Sequence, residues 1–226
     1  MRIKPSPSRR NVVVDIETVS LDPADPKGAL SAITGQIVCI CLLIDDGDQM
    51  REVTLIGAEA GILRNFWERV EPNDVFIGYN LLNFDLLFIR QRSWILGIRP
   101  SRKIDLRKFY SSDLIDLLQL WSNSGAQKYV SLGQVAGALG CGEKSAEGSR
   151  VAEWWQQGKI DEIARYCLQD VRITYLVFLK LMFQAIPPRF AALPERQAIA
   201  ESGSFEGAEQ SNDSSNSAVP PVPLVQ

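Results

Sequence analysis

The sequence contains no histidine among its 226 residues. That absence removes imidazole-based zinc sites, Ser-His-Asp and Cys-His nucleophile systems, and any histidine general base. Catalysis, if present, has to run on carboxylates, tyrosine, lysine, cysteine or hydroxyls, with or without a bound metal. Cysteine is scarce as well. Cys39, Cys41, Cys141 and Cys167 form no Cys-x-x-Cys pair and are too few for a secreted disulfide scaffold. Cys39 and Cys41 fall on one face of an expected strand and read as core residues. Long apolar runs are missing too: the longest, Ile37 to Ile44, is far too short to span a bilayer. Met1 to Arg10 is basic and proline-containing but leads into no apolar stretch, which argues against a signal peptide. The expectation is a cytoplasmic protein with no membrane partner.

At 46% hydrophobic and 23% charged residues, the composition is that of an ordinary globular protein. The length can bury a core without disulfide or metal staples. The formal net charge of -3 hides an asymmetry. Residues 197–226 hold Glu201, Glu206, Glu209 and Asp213 with no Lys or Arg, which leaves 23 acids against 24 bases in residues 1–196. A body so balanced can grip a polyanion only through local basic patches. Residues 197–226 are rich in Ser, Gly, Ala, Asn and Pro, carry no periodicity and are expected to be a disordered tail. Residues 1–10 read as a flexible lead, so the folded domain is placed at 11–190.

Within that domain short apolar runs alternate with helical spacing. Residues 11–16 form a β-branched run, residues 35–45 a second strand closed by the turn signal Asp45-Asp46-Gly47-Asp48, and residues 51–56 its hairpin partner. Residues 74–80 are a further buried strand. Helices are expected over 58–70, 83–96, 113–121, 131–139, 151–157 and, longest, 161–183, with Pro187-Pro188 just beyond. Strands interleaved with helices predict an α/β domain with a mixed central sheet flanked by helices.

Three segments carry candidate chemistry. Asp15 and Glu17 are two apart on a strand and so share a face. Two buried acids side by side repel each other unless a multivalent cation lies between them; the plain alternative is a strand that ends at Asp15 with both acids solvated. Asn80, at the end of the 74–80 strand, is followed by Asn83, a candidate helix cap, and Asp85 in the first helical turn, where a helix-dipole role alone would account for it. Tyr166 and Asp170 are i and i+4, stacked on one helix face beside the apolar stripe of Ile163, Cys167, Val171, Thr174 and Phe178. Trp154 and Trp155, adjacent on a helix, face different ways, so one of them is expected in the core.

Taken in order, Asp15-Ile16-Glu17-Thr18, Asn80-Leu81-Leu82-Asn83-Phe84-Asp85 and Tyr166-Cys167-Leu168-Gln169-Asp170 resemble the three-motif signature of the DEDD 3'→5' exonucleases, in the subset with tyrosine in the third motif. The context is most similar to the exonuclease domain of family B DNA polymerases and to stand-alone bacterial proteins related to it. Further likeness lies in Asp116 of Leu114-Ile115-Asp116-Leu117 and in the Leu132-Gly133-Gln134-Val135-Ala136 segment. The resemblance covers about residues 11–184 and implies a ribonuclease H-like fold. No polymerase palm or fingers sequence follows, so no polymerase activity is expected.

The resemblance also implies a mechanism. Phosphodiester hydrolysis can be carried by two divalent cations about 4 Å apart, one activating water and one clamping the leaving oxygen. An all-oxygen ligand set selects Mg²⁺ or Mn²⁺ over zinc. Asp15, Glu17 and Asp170 would hold the first ion, and Asp15 would bridge to a second that Asp85 reaches through water. Tyr166 would orient the attacking water, because a phenol with an ordinary pKa near 10 positions water better than it accepts a proton at neutral pH. The expected partner is the 3' end of single-stranded DNA. Asn80 and Phe84 would contact the terminal nucleotide, and Thr18 with the Thr18-Val19-Ser20 backbone would support its 3' hydroxyl. The basic stretch Arg90, Arg92, Arg99, Arg102, Lys103, Arg107 and Lys108 would supply a strand-binding rim. Two other readings stay open: the same chemistry on RNA, which ribonuclease D-like proteins of this subset share, and an inactive binding or adaptor module.

Overall fold

Strands whose side chains are apolar at every position need cover on both faces, and the architecture provides it. The computed structural model of the chain describes residues 9–106, 113–142 and 150–193. Five strands, β1 (Asn11–Ser20), β2 (Gly35–Asp45), β3 (Met50–Ile56), β4 (Val75–Gly78) and β5 (Leu114–Asp116), form one sheet in the order β3-β2-β1-β4-β5. β1 pairs antiparallel with β2 and β2 with β3, whereas β4 runs parallel to both β1 and β5. The sheet is mixed, as the pattern of elements predicts.

Alternation along β1 sorts its side chains into two cores. Val12, Val14 and Ile16 join Ile40, Leu42, Phe66 and Phe76 on one face, under α1 (Glu59–Arg69) and α2 (Asp85–Ile95). Val13 and Val19 join Cys39, Cys41, Leu43 and Ile77 on the other. That second face is covered chiefly by α6 (Ile160–Leu181), with α4 (Leu132–Leu139) and α5 (Arg150–Gln156) alongside. Asp15 and Glu17, in step with Val13 and Val19, therefore point toward α6. A short helix, α3 (Leu117–Trp121), leaves β5, and α7 (Pro188–Ala191) follows α6.

Several boundaries differ from the sequence reading. β1 continues through Asp15 and Glu17 to Ser20, so the acids sit within the strand rather than beyond its end. Residues 114–116, read as the start of a helix, are a strand that hands over to α3 at Asp116. Asn83 does not cap α2: the helix starts at Asp85 without a side-chain cap, and Asn83 Nδ2 donates to Asn80 Oδ1 at 3.1 Å instead. A 3-10 turn at Pro26–Leu30 and α7 carried no signal in the reading. The tail at 197–226 and the first eight residues of the lead lie outside the described residues.

Candidate active site

The site forms where β1 outruns its parallel neighbour. The β1–β4 ladder ends at Val13 and Ile77, and β4 stops at Gly78. Beyond that point the edge of β1 facing β4 has open main-chain donors, which must be satisfied if buried. Asp85 fills one: its Oδ1 accepts the Ile16 N–H at 3.1 Å. The chain reaches Asp85 by folding back immediately after β4. Gly78 permits this, since a Cβ there would lie 2.7 Å from Leu81 Cδ1. Asn80 takes a left-handed conformation at φ 63°, which asparagine tolerates better than most residues.

Asp116 holds this return in place. Its Oδ1 accepts from Asn80 N and Leu118 N, each at 3.0 Å, and from Gln119 N at 3.4 Å; its Oδ2 accepts from Leu82 N at 3.0 Å. One buried carboxylate thus caps α3 and pins the loop that delivers Asn80, Phe84 and Asp85. Burial pushes its pKa up, against the four N–H donors that pull it down. Sequence reasoning cited Asp116 only as a likeness; an acid directly before a helical run was the available signal of a cap.

From the other side α6 brings Tyr166 and Asp170, both buried. Of the flanking arginines, Arg165 pairs with Glu162 and Arg172 with Glu52. Tyr166 packs edge-on against Trp154 with ring centroids 5.9 Å apart, so Trp154 is the core member of the tryptophan pair. Cys167 Sγ approaches the Asp15 carbonyl oxygen at 3.4 Å, fixing α6 to β1 at the first motif. A β-bulge between Glu17 and Thr18 re-aims the strand there. Ligand atoms of Asp15, Glu17 and Cys167 all lie within 4.8 Å of one another. The structure therefore brings Asp15, Glu17, Asp85, Tyr166 and Asp170 to one end of the sheet, at the carboxyl ends of its parallel strands.

Negative charge is crowded here. Burial, followed by the Asp116 and Asp170 carboxylates, pushes Asp85 up to about 7, although its own and the Ile16 main-chain N–H oppose the shift. Asp15 and Asp170 each make other contacts, yet Asp15 Oδ2 and Asp170 Oδ1 are buried and accept no hydrogen bond. Asp15 and Glu17 lie within ligand distance of each other, Asp85 feels the Asp170 charge, and no imidazole is present, so the oxygen donors here are of the hard kind that suits Mg²⁺ or Mn²⁺. A divalent cation would relieve the crowding that raises Asp85.

The remaining predicted contacts divide. Asn80 and Phe84 are half-buried at the mouth of the site. Phe84 lines an adjoining cleft of about 230 Å³ with Leu30, Ile33, Asn83 and Phe88. The Thr18 hydroxyl donates to Ala29 O at 2.7 Å, which props the 3-10 turn against β1 and commits that proton. Arg102 does not join the site. Its guanidinium, 9% exposed, donates to Glu71 O, Asp74 O and Asp113 Oδ2 and lies over the Phe76 ring, at the amino end of β4. Arg92 is likewise structural, bound to Glu59 through two bonds of 2.8 and 2.6 Å and to Ala32 O at 2.9 Å. The expected rim thus loses two arginines to the interior, because a guanidinium can satisfy several buried acceptors at once. Lys103 and Arg99 are exposed; Arg107 and Lys108 lie outside the described residues.

The mixed sheet thus presents two acids on β1 and one from each of two helices at the same end. The chain belongs to the family of predicted 3'-5' exonucleases related to the exonuclease domain of PolB, whose profile matches residues 30–190. That span includes Asp85, Tyr166 and Asp170; Asp15 and Glu17 precede it. The chain is similar to DNA polymerase 2 of Aeropyrum pernix, at 30% identity over 165 residues, covering 64% of this chain and 20% of the polymerase. Its fold matches that of the family B DNA polymerase from Pyrobaculum calidifontis with a TM-score of 0.61 and 23% identity, over 80% of this chain and 25% of that one. The chain thus spans a fifth to a quarter of these relatives. No helix among the described residues is long and apolar enough to cross a membrane.

Proposed function

We propose that this chain is a metal-dependent 3'→5' exonuclease that removes nucleotides from the 3' ends of single-stranded DNA. The observation that carries the reading is the meeting of Asp15 and Glu17 on β1 with Asp85, bonded to the main chain between them, and with Asp170 one helical turn from Tyr166. Asp15, Glu17 and Asp170 would hold one divalent ion, Mg²⁺ or Mn²⁺, and Asp15 with Asp85 a second. Bound there, such ions supply an activated water and a clamp for the leaving oxygen.

The chain's own groups do the rest. Tyr166, held by Trp154, hydrogen-bonds the attacking water and orients it toward the terminal phosphate. Asn80 and Phe84 receive the last nucleotide, with the Phe84 cleft offering an apolar wall for an unstacked base. The Thr18-Val19-Ser20 backbone supports the 3' hydroxyl, since the Thr18 side chain is engaged with Ala29.

A single-stranded DNA oligonucleotide labelled at its 5' end should shorten stepwise from the 3' end with Mg²⁺ or Mn²⁺ and stay intact with a chelator. A matched RNA oligomer is the control for sugar preference. The Asp15→Ala, Asp170→Ala double variant should be slower by at least about 10³-fold, equivalent to about 4 kcal/mol of transition-state stabilisation. Cleavage that persists in the double variant would place the chemistry elsewhere.

A further inference from the structure

A second donor set lies behind the two acids of β1. Across the β1–β2 ladder Cys41 is paired with Asp15 and Cys39 with Glu17, and Cys167 meets them from α6. All three are 0% exposed, and all are free thiols. Their sulfur atoms lie within 4.8 Å of one another, with Cys39 Sγ and Cys41 Sγ 3.8 Å apart. Two thiolates on a tetrahedral zinc, each at about 2.3 Å, stand about 3.8 Å apart, so this pair already has the spacing of shared ligation. Three buried sulfurs facing one another, with the Thr54 hydroxyl and the Ala164 carbonyl also near Cys41 Sγ, form a soft donor set beside the hard one. Cys167 belongs to both, because its Sγ also lies within 4.8 Å of ligand oxygens of Asp15 and Glu17.

We propose that Cys39, Cys41 and Cys167 bind a thiophilic divalent cation of the zinc class, back to back with the catalytic carboxylates, and that its presence suppresses the exonuclease. The suppression rests on the exonuclease reading; the binding does not. Entry of the cation replaces three S–H protons, which leave to solvent, and yields a singly negative three-thiolate cluster. Cys167, shared by the two groups, sets Asp15 and Glu17 next to the three-sulfur cluster. A soft ion that draws on either acid takes a ligand from the hard-ion centre. Since the thiols are closed to solvent, loading is coupled to folding.

The test refolds the full chain from denaturant in metal-free buffer with a phosphine reductant and Cd²⁺, the spectroscopic substitute for Zn²⁺. An ultraviolet thiolate-to-cadmium band should saturate at one equivalent, and X-ray absorption should count three sulfur neighbours. Cys141→Ala should leave both unchanged, while Cys41→Ala should weaken binding by at least about tenfold, the least that even an outer-sphere partner contributes. Fewer than three sulfurs in the wild type, or a band lost in Cys141→Ala, overturns the site whether or not Cys41→Ala folds. Refolded with Zn²⁺, the chain should shorten single-stranded DNA in Mg²⁺ at least about tenfold more slowly than the zinc-free chain. Full activity in a chain with three metal-bound sulfurs overturns the suppression. A zinc-free chain that shortens no oligonucleotide defeats the exonuclease reading, and the suppression with it, leaving the cadmium result to stand on its own.

Discussion

Asp85 Oδ1 accepts the main-chain N–H of Ile16, the residue between Asp15 and Glu17, at 3.1 Å. The second-motif acid is thus locked to the first-motif strand in a site where burial and neighbouring acids raise its pKa to about 7. The unfolded chain would release that proton near pH 4. Between about pH 4 and 7 the folded state then holds a proton that the unfolded state has lost, so stability falls as pH rises through this window and is flat above it. Thermal melts with a chelator should show the fall, and Asp85→Asn should flatten it. Mg²⁺ should restore more stability at pH 8 than at pH 5. A wild-type profile that tracks Asp85→Asn throughout would show that this carboxyl is not perturbed.

Tyr166 is buried, and its ring is held against Trp154. Removing only its hydroxyl should leave that packing intact. Tyr166→Phe should therefore reduce turnover by about 10²-fold, the lower end of what a positioned proton-handling group contributes. The Mg²⁺-dependent rise in melting temperature should be unchanged, because the carboxylates remain. Turnover equal to wild type would remove the phenol from the mechanism.

Much of this arrangement is legible in the sequence, and the gaps have physical causes. Alternation along β1 puts Asp15 and Glu17 on one face, and helical spacing puts Tyr166 and Asp170 on another; both periodicities are local. Their meeting is not local. It depends on β1 extending past β4, which no run of residues announces. β5 is only three residues long and feeds directly into α3, so its apolar side chains fit a helical period equally well. Arg92 and Arg102 read as surface charge because their partners, Glu59 and the Glu71–Asp74 turn, lie about thirty residues away. Cys167 passes for one more apolar position until Cys39, Cys41 and Asp15 are seen around it.

Arg102 gives a clean separation of grip from stability. Its guanidinium joins the turn before β4 to Asp113 and covers Phe76. Arg102→Ala should cost about 1–3 kcal/mol by taking the donor from the Glu71 and Asp74 carbonyls, read as a lower urea midpoint. The KM for single-stranded DNA should not move. A raised KM with an unaltered urea midpoint would return this residue to the strand-binding surface.

Four main-chain N–H groups converge on Asp116. Two belong to the loop that carries Asn80 into its left-handed turn and leads to Asp85; two are the open donors of α3. Asp116→Ala removes a helix cap, about 1 kcal/mol, and strands buried amides at about 1–3 kcal/mol before the loop relaxes toward water. The expected outcome is a loss of about 2–3 kcal/mol in urea unfolding together with a fall in kcat/KM, because relaxation displaces both Asn80 and the start of α2. Asp116→Asn keeps an oxygen for Asn80 and α3 but turns an amide toward Leu82 N–H. It should recover most of the stability and only part of the activity. Should Asp116→Ala lose stability while kcat/KM holds, the loop does not set the position of Asp85, and the Ile16 bond alone suffices to place it.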